Sequence, residues 1–184
     1  VRHFDAEPIF IDINMEDMNI DVNKFEEALA ENDSKKLRGA IITFVGGQTP
    51  DLDRIYDIAQ KYGIILIEDC RSSLGATYNG KKVGNLRADM TIFSTNPSNS
   101  KYAISRSGVI VTNNEDIAAR AKLLRTHALT TTYDSYGNLD YVYDVVDIGH
   151  KYDLSELDAA YALAQLNKTE KFIKRRKEIA KLYE

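Results

Sequence analysis

The chain has no tryptophan, a single cysteine and no apolar run longer than a strand. The lone Cys70 cannot close an internal disulfide, so no cystine framework holds this fold, and a reducing, cytoplasmic setting is expected. Strand-length apolar runs rule out a spanning helix, which needs about 20 consecutive apolar residues. Basic excess is missing too. Lys and Arg number 24 against 28 Asp and Glu, a formal charge of -4, the reverse of the positive face that nucleic acid selects. Near Val1 no basic stretch precedes a long apolar core, so no secretory signal is expected, and a first residue other than Met fits a chain whose native start lies upstream. No Gly-x-Gly-x-x-Gly follows a strand and no Ser-His-Asp arrangement can be read. His3 and His150 lack a Cys or second His at ligand spacing, so no metal centre is expected. No repeat or low-complexity segment interrupts the chain.

What is present is a regular alternation of apolar runs and amphipathic stretches. With 184 residues and 43% hydrophobic content, one α/β core is expected. Residues 8–13 (Pro-Ile-Phe-Ile-Asp-Ile) read as a buried strand, followed by a helix from about Val22 to Glu31 capped by Asp21. Residues 40–45 form a second strand ending at Gly46-Gly47. A helix opens at 49–51, buries Leu52, Ile55, Ile58, Ala59 and Tyr62, and stops at Gly63. The next apolar run, from Ile64, ends in the acidic pair Glu68-Asp69. Asn79-Gly80 is a two-residue hairpin signal. Strands follow at 90–93 and 109–112, then a helix over 115–125 with Ile117, Ala118, Ala121 and Leu124 inward. Residues 126–151 read as a long loop. Ser155-Glu156-Leu157-Asp158 opens a helix with Leu157, Ala160, Tyr161 and Ala164 on one face, and a basic helix over 172–182 closes the chain, its charges read as a solvated face. Continuous apolar strands separated by helices predict a three-layer α/β fold, a largely parallel sheet covered on both faces.

Ligands of such sheets sit at the carboxyl ends of the strands. Asp12, Thr43, Asp69, Ser94 and the segment 95–107 are therefore the candidate edge. A carboxylate in a low-dielectric cleft holds a cation or a protonated ring nitrogen. The competing reading of Asp69 is a cap on the following turn. His127 reads as a helix-end residue and Cys70 as a small core residue rather than a nucleophile.

Several segments together resemble one family. Gly-Ile-Ile-Leu-Ile-Glu-Asp-Cys over 63–70, Leu-Gly-Ala-Thr-Tyr-Asn-Gly-Lys-Lys-Val-Gly over 74–84, Phe93-Ser94, and Gly-Val-Ile-Val-Thr-Asn over 108–113 are similar to the DegT/DnrJ/StrS family of pyridoxal-phosphate-dependent sugar aminotransferases. Leu124-Arg125-Thr126-His127 resembles its Leu-Arg-x-His segment. The stretch from Ala159-Ala160 to Gln165-Leu166 resembles its helix near the dimer interface. The resemblance implies the large domain of a fold-type I enzyme, and implies that residues 1–184 are one domain, the central part of a longer protein with a preceding phosphate-binding segment and a following small domain. It also implies pyridoxal phosphate as cofactor, a nucleotide-sugar substrate with an amino donor, and a homodimer.

Carried over position by position, the resemblance assigns Asp69 to the ring nitrogen of the cofactor and Ser94 to its phosphate. The position of the lysine that holds the cofactor covalently is Asn99, whose amide cannot serve as that nucleophile. Lys101, two positions on, takes the role only with a shifted loop. Ser72 replaces a Gln or His that packs over the ring, Ser105-Arg106-Ser107-Gly108 replaces a glycine-rich turn, and Asp153 replaces an Arg. Two functional expectations follow. One is a nucleotide-sugar aminotransferase of polysaccharide or flagellin-sugar biosynthesis. The other is a relative without transaminase activity, acting as a structural or binding protein.

Overall fold

The computed structural model describes residues 1–32, 36–95, 107–133 and 139–183. Helix α1 (Val22–Glu31) starts where the Asp21 carboxylate accepts the N–H groups of Asn23 and Lys24, and it buries Phe25 and Leu29. Strand β1 (Gly39–Thr43) leads to α2 (Leu52–Tyr62), capped by Asp51 and terminated by Gly63 at φ 63°. Glycine takes that left-handed turn without steric cost. Strand β2 (Ile65–Asp69) follows, then the hairpin β3 (Thr77–Tyr78) and β4 (Lys81–Lys82) around Asn79-Gly80. Strands β5 (Met90–Ser94) and β6 (Gly108–Val111) complete a sheet of order β1-β2-β5-β6, the first three parallel and β6 antiparallel to β5. Then come α3 (Glu115–Arg125), β7 (Leu129–Tyr133), β8 (Leu139–Val145), α4 (Glu156–Leu166) and α5 (Thr169–Ala180).

The expected largely parallel α/β sheet is thus present, and its two faces differ. Ile42, Leu66 and Phe93 share one buried cluster with Phe25 and Leu29 of α1 and Leu52, Ile55, Tyr56, Ile58 and Ala59 of α2. Strand side chains alternate between faces, so Ile41, Ile65 and Ile110 lie on the other side, where they are exposed.

Glu68 belongs to the buried face. The Tyr56 hydroxyl donates to its Oε1 at 2.5 Å and the Thr91 hydroxyl to its Oε2 at 2.7 Å, and Thr91 is its register partner on β5. These bonds join α2, β2 and β5 through one carboxyl group. Tyr56→Phe leaves a buried acceptor without its donor and costs about 1–3 kcal/mol of stability, read as a lower urea midpoint with an unchanged m-value.

Burial raises the Tyr56 phenol above its ordinary value, with the hydrogen bond to Glu68 adding to it. Burial likewise pushes the Cys70 thiol up, with the charges of Glu68 and Asp69 adding to it. Both groups stay protonated in the native state, while the unfolded chain ionises them near 9.0 for Cys70 and 10.0 for Tyr56. Their contribution is therefore intact below those values and is lost as pH rises above them. Urea midpoints measured from pH 8 to 11 are expected to hold at first and then fall (roughly the range bracketing these two groups). Native Cys70, fully buried, is expected to resist a thiol-reactive disulfide reagent until denaturant is added.

Four expectations are corrected. Residues 8–13 form no strand; only the isolated bridge Ile13 to Ile20 pairs there, and Phe10 is 90% exposed. An apolar run becomes a strand only where a neighbouring strand accepts its ladder. Asp12, expected at the sheet edge, is an exposed partner of Lys24 at 2.8 Å; the ammonium and the Ile13 N–H hold its carboxyl below the usual range. The expected loop over 126–151 contains the antiparallel pair β7 and β8, bulged between Thr131 and Tyr133. Its Thr, Tyr and Val content suits a strand. Helix α4 forms with Ser155 as its cap, yet its expected inward face is not buried: Leu157 and Tyr161 are exposed, with Leu163 and Leu166 beside them.

Candidate active site

The last residues of the three parallel strands are Thr43, Asp69 and Ser94. Register aligns Thr43 with Asp69 and Asp69 with Ile92. Ser94 lies two residues beyond Ile92, so all three side chains belong to the face opposite Glu68. Period-2 geometry thus separates the acidic pair: Glu68 enters the core and Asp69 the carboxyl edge. The sequence brings together three of the four expected edge side chains on strands spaced about 4.8 Å apart. Asp12 is not among them.

The Asp69 carboxylate is oriented from several directions. Its Oδ2 accepts the Thr43 hydroxyl at 3.4 Å and lies 3.5 Å from Arg71 Nε, and its Oδ1 accepts the Arg71 N–H at 3.3 Å. The side chain is 19% exposed. The expected capping of the turn is therefore real, and it occurs together with a carboxylate facing the open edge.

The backbone around it is pinned. Cys70 N–H donates to the Ile92 carbonyl at 2.8 Å and Phe44 N–H to the Asp69 carbonyl at 3.0 Å. The Ser72 and Ser73 hydroxyls both donate to the Phe44 carbonyl, at 3.1 and 3.2 Å. Ser72 is thereby turned toward β1 rather than standing over the edge. At the end of β5, Ser94 aligns with Gly108, and the Thr95 hydroxyl donates to the Ser107 carbonyl at 2.9 Å. Asn99, Lys101, Ser105 and Arg106 lie outside the described residues.

Arg71 was missed from the sequence, where it follows the acidic pair without any motif; its position two residues after Asp69 is the signal that places its backbone N–H on the carboxylate. Among the described residues no group of three or more His, Cys, Asp and Glu could hold a metal ion. None of their helices is long and apolar enough to cross a membrane.

The donor set fits an aromatic cofactor that carries a protonated ring nitrogen and an anionic tail. A shielded carboxylate braced by a hydroxyl suits the first, and a hydroxyl at the neighbouring strand end suits the second.

The profile of the DegT/DnrJ/EryC1/StrS aminotransferase family matches residues 1–184. A UDP-4-amino-4,6-dideoxy-N-acetyl-beta-L-altrosamine transaminase of Campylobacter jejuni is 35% identical over 177 residues, 95% of this chain and 44% of that protein. The spore coat polysaccharide biosynthesis protein SpsC of Bacillus subtilis is 31% identical over 188 residues, 100% of this chain and 46% of that protein. The chain thus spans a little under half the length of the curated relatives it matches. In fold it is similar to Helicobacter pylori PseC, an aminotransferase involved in the biosynthesis of pseudoaminic acid, with a TM-score of 0.87, 24% identity, and coverage of 99% of this chain and 46% of that one.

Proposed function

Because the chain belongs to the DegT/DnrJ/EryC1/StrS aminotransferase family, we propose that it is the central part of the large domain of a pyridoxal-phosphate-dependent nucleotide-sugar aminotransferase. The observation that carries this reading is the Asp69 carboxylate, braced by Thr43 at the carboxyl edge of β2. The similarity to the Campylobacter transaminase supports a nucleotide-linked keto-sugar as acceptor, and the similarity to SpsC supports a surface-polysaccharide pathway.

Pyridoxal phosphate, when bound, supplies an electron-withdrawing ring that accepts negative charge developing on the substrate carbon during amino transfer. Asp69 would face the ring nitrogen and keep its proton in place, since a carboxylate stabilises the protonated form. Thr43 would fix the carboxylate rotamer. Ser94 would donate to the phosphate, and the tight pairing of Thr95 with Ser107 would hold the strand end that carries it.

A homodimer in the cytoplasm is the proposed setting. The exposed Leu157, Tyr161, Leu163 and Leu166 of α4 support a self-association surface, and sedimentation at several concentrations tests it.

A second reading has specific support: a family member without transaminase activity. Asn99 stands at the position of the covalently binding lysine, and Ser72 is committed to the Phe44 carbonyl. Incubating the full-length polypeptide with pyridoxal phosphate, reducing with borohydride and mapping the labelled peptide separates the two. A label on Lys101 supports the aminotransferase. Absence of both a visible cofactor band and a label removes it in favour of the second reading.

A further inference from the structure

We propose that Arg71 is a built-in competing cation that sets how tightly Asp69 holds a protonated ring nitrogen, an inference that rests on the cofactor reading above. Each Asp69 oxygen already has a partner from residue 71. The Arg71 N–H reaches Oδ1 at 3.3 Å and the guanidinium Nε stands 3.5 Å from Oδ2, where the Thr43 hydroxyl also donates.

The arrangement follows from the loop. Cys70 N–H is tied to the Ile92 carbonyl at 2.8 Å, Ser73 N–H to the Cys70 carbonyl at 2.9 Å, and the hydroxyls of Ser72 and Ser73 to the Phe44 carbonyl. With both flanks fixed to β1 and β5, the backbone of Arg71 has little freedom. Its side chain reaches back to the carboxylate two residues before it.

A ring N–H and the guanidinium then compete for the same acceptor. The guanidinium is a planar, delocalised cation held beside the carboxylate, so the competition is electrostatic. Its strength is set by exposure. Asp69 is 19% exposed but the Arg71 side chain is 54% exposed, and half-exposed ion pairs are weak. A cation that occupies the acceptor in most molecules lowers the apparent affinity of its competitor by the fraction left free, here about three- to fivefold. Arg71 is thus an affinity-setting residue and not a catalytic one.

The test uses the full-length polypeptide with pyridoxal phosphate as the probe, measuring Kd for wild type, Arg71→Met and Arg71→Lys. Met keeps the length and removes the charge; Lys keeps the charge. Arg71→Met is expected to bind about three- to fivefold tighter, with Arg71→Lys near wild type. The difference between wild type and Arg71→Met is expected to shrink toward none near about 1 M salt, because a partly exposed pair is screened. In the cofactor-free protein, the Arg71 Nε–H resonance is expected to move on Asp69→Asn. Equal or weaker binding by Arg71→Met overturns the proposal while leaving the aminotransferase reading intact, as does an Nε–H resonance that ignores Asp69→Asn. Failure of all three forms to bind the cofactor rejects both.

Discussion

Asp69→Asn is expected to lower kcat for amino transfer by the full-length polypeptide about 10²- to 10³-fold, the range for removing one preorganised electrostatic partner from a reacting centre. The substitution keeps size and shape. It removes the negative charge, and an amide cannot hold a proton on a ring nitrogen as a carboxylate does. Fold stability should change little, because the Asp69 side chain lies on the open face and its partners are one long hydroxyl contact and a half-exposed Arg71. Steady-state kinetics beside a urea unfolding curve separates the two effects. A fall in kcat with an unchanged unfolding midpoint supports the assignment. Activity that survives Asp69→Asn within about threefold would place the ring nitrogen elsewhere, since so small an effect is under 1 kcal/mol of transition-state stabilisation. Thr43→Val is the graded companion. It removes the brace at 3.4 Å and leaves the charge, so its effect should stay within about fivefold.

The same contrast shows which parts of the molecule can be read from sequence. Asp21 and Ser155 were legible as helix caps and Gly63 as a terminator because each acts within a few residues of itself, whereas the start expected over 49–51 with Pro50 in the first turn lies at Leu52 with Asp51 as its cap. Asn79-Gly80 was legible for the same reason: the hairpin turn needs positive φ at both positions, and they have 48° and 77°. Thr43, Asp69 and Ser94 followed from the rule that strand ends collect ligands, without any knowledge of register. Residues that depend on distant partners were not legible. The run at 8–13 has strand composition but no neighbouring strand among the described residues, whereas Leu129 pairs with Val145 sixteen positions away and converts an expected loop into β7 and β8. Glu68 beside Asp69 reads as one acidic pair in sequence, and only strand alternation sends one to Tyr56 and Thr91 and the other to the edge. Arg71 needed the pinned loop before its charge acquired a target.

Gly149 is the strongest case of a residue whose role is set by distant backbone, and Gly149→Ala is expected to destabilise the chain by about 3 kcal/mol, the upper end of what forcing an extra carbon into a packed site costs. A Cβ built there would lie 2.2 Å from Ala128 N and 2.3 Å from the carbonyl carbon of His127. Neither atom belongs to a flexible side chain. Both sit where the exit of α3 is sewn to the segment after β8. His127 N–H donates to the His150 carbonyl, His150 N–H to that of Leu124, Ala128 N–H to that of Leu123, and Tyr152 N–H to that of Arg125. His127 and Ala128 are themselves left-handed, at φ 56° and 54°, a conformation that costs free energy in residues with a side chain and persists because these bonds determine it. Ala128 is fully buried, so the backbone cannot retreat from the new methyl toward solvent. For a chain of this size the loss corresponds to about 6–12 °C in Tm. Gly108→Ala is the control. Among the described residues its Cβ would meet the Phe93 carbonyl oxygen at 3.5 Å, an ordinary contact, and the change should stay within about 1 kcal/mol. Equal Tm shifts for the two substitutions would show that the junction gives way easily, and that the left-handed pair at 127 and 128 is not held by the close approach of Gly149.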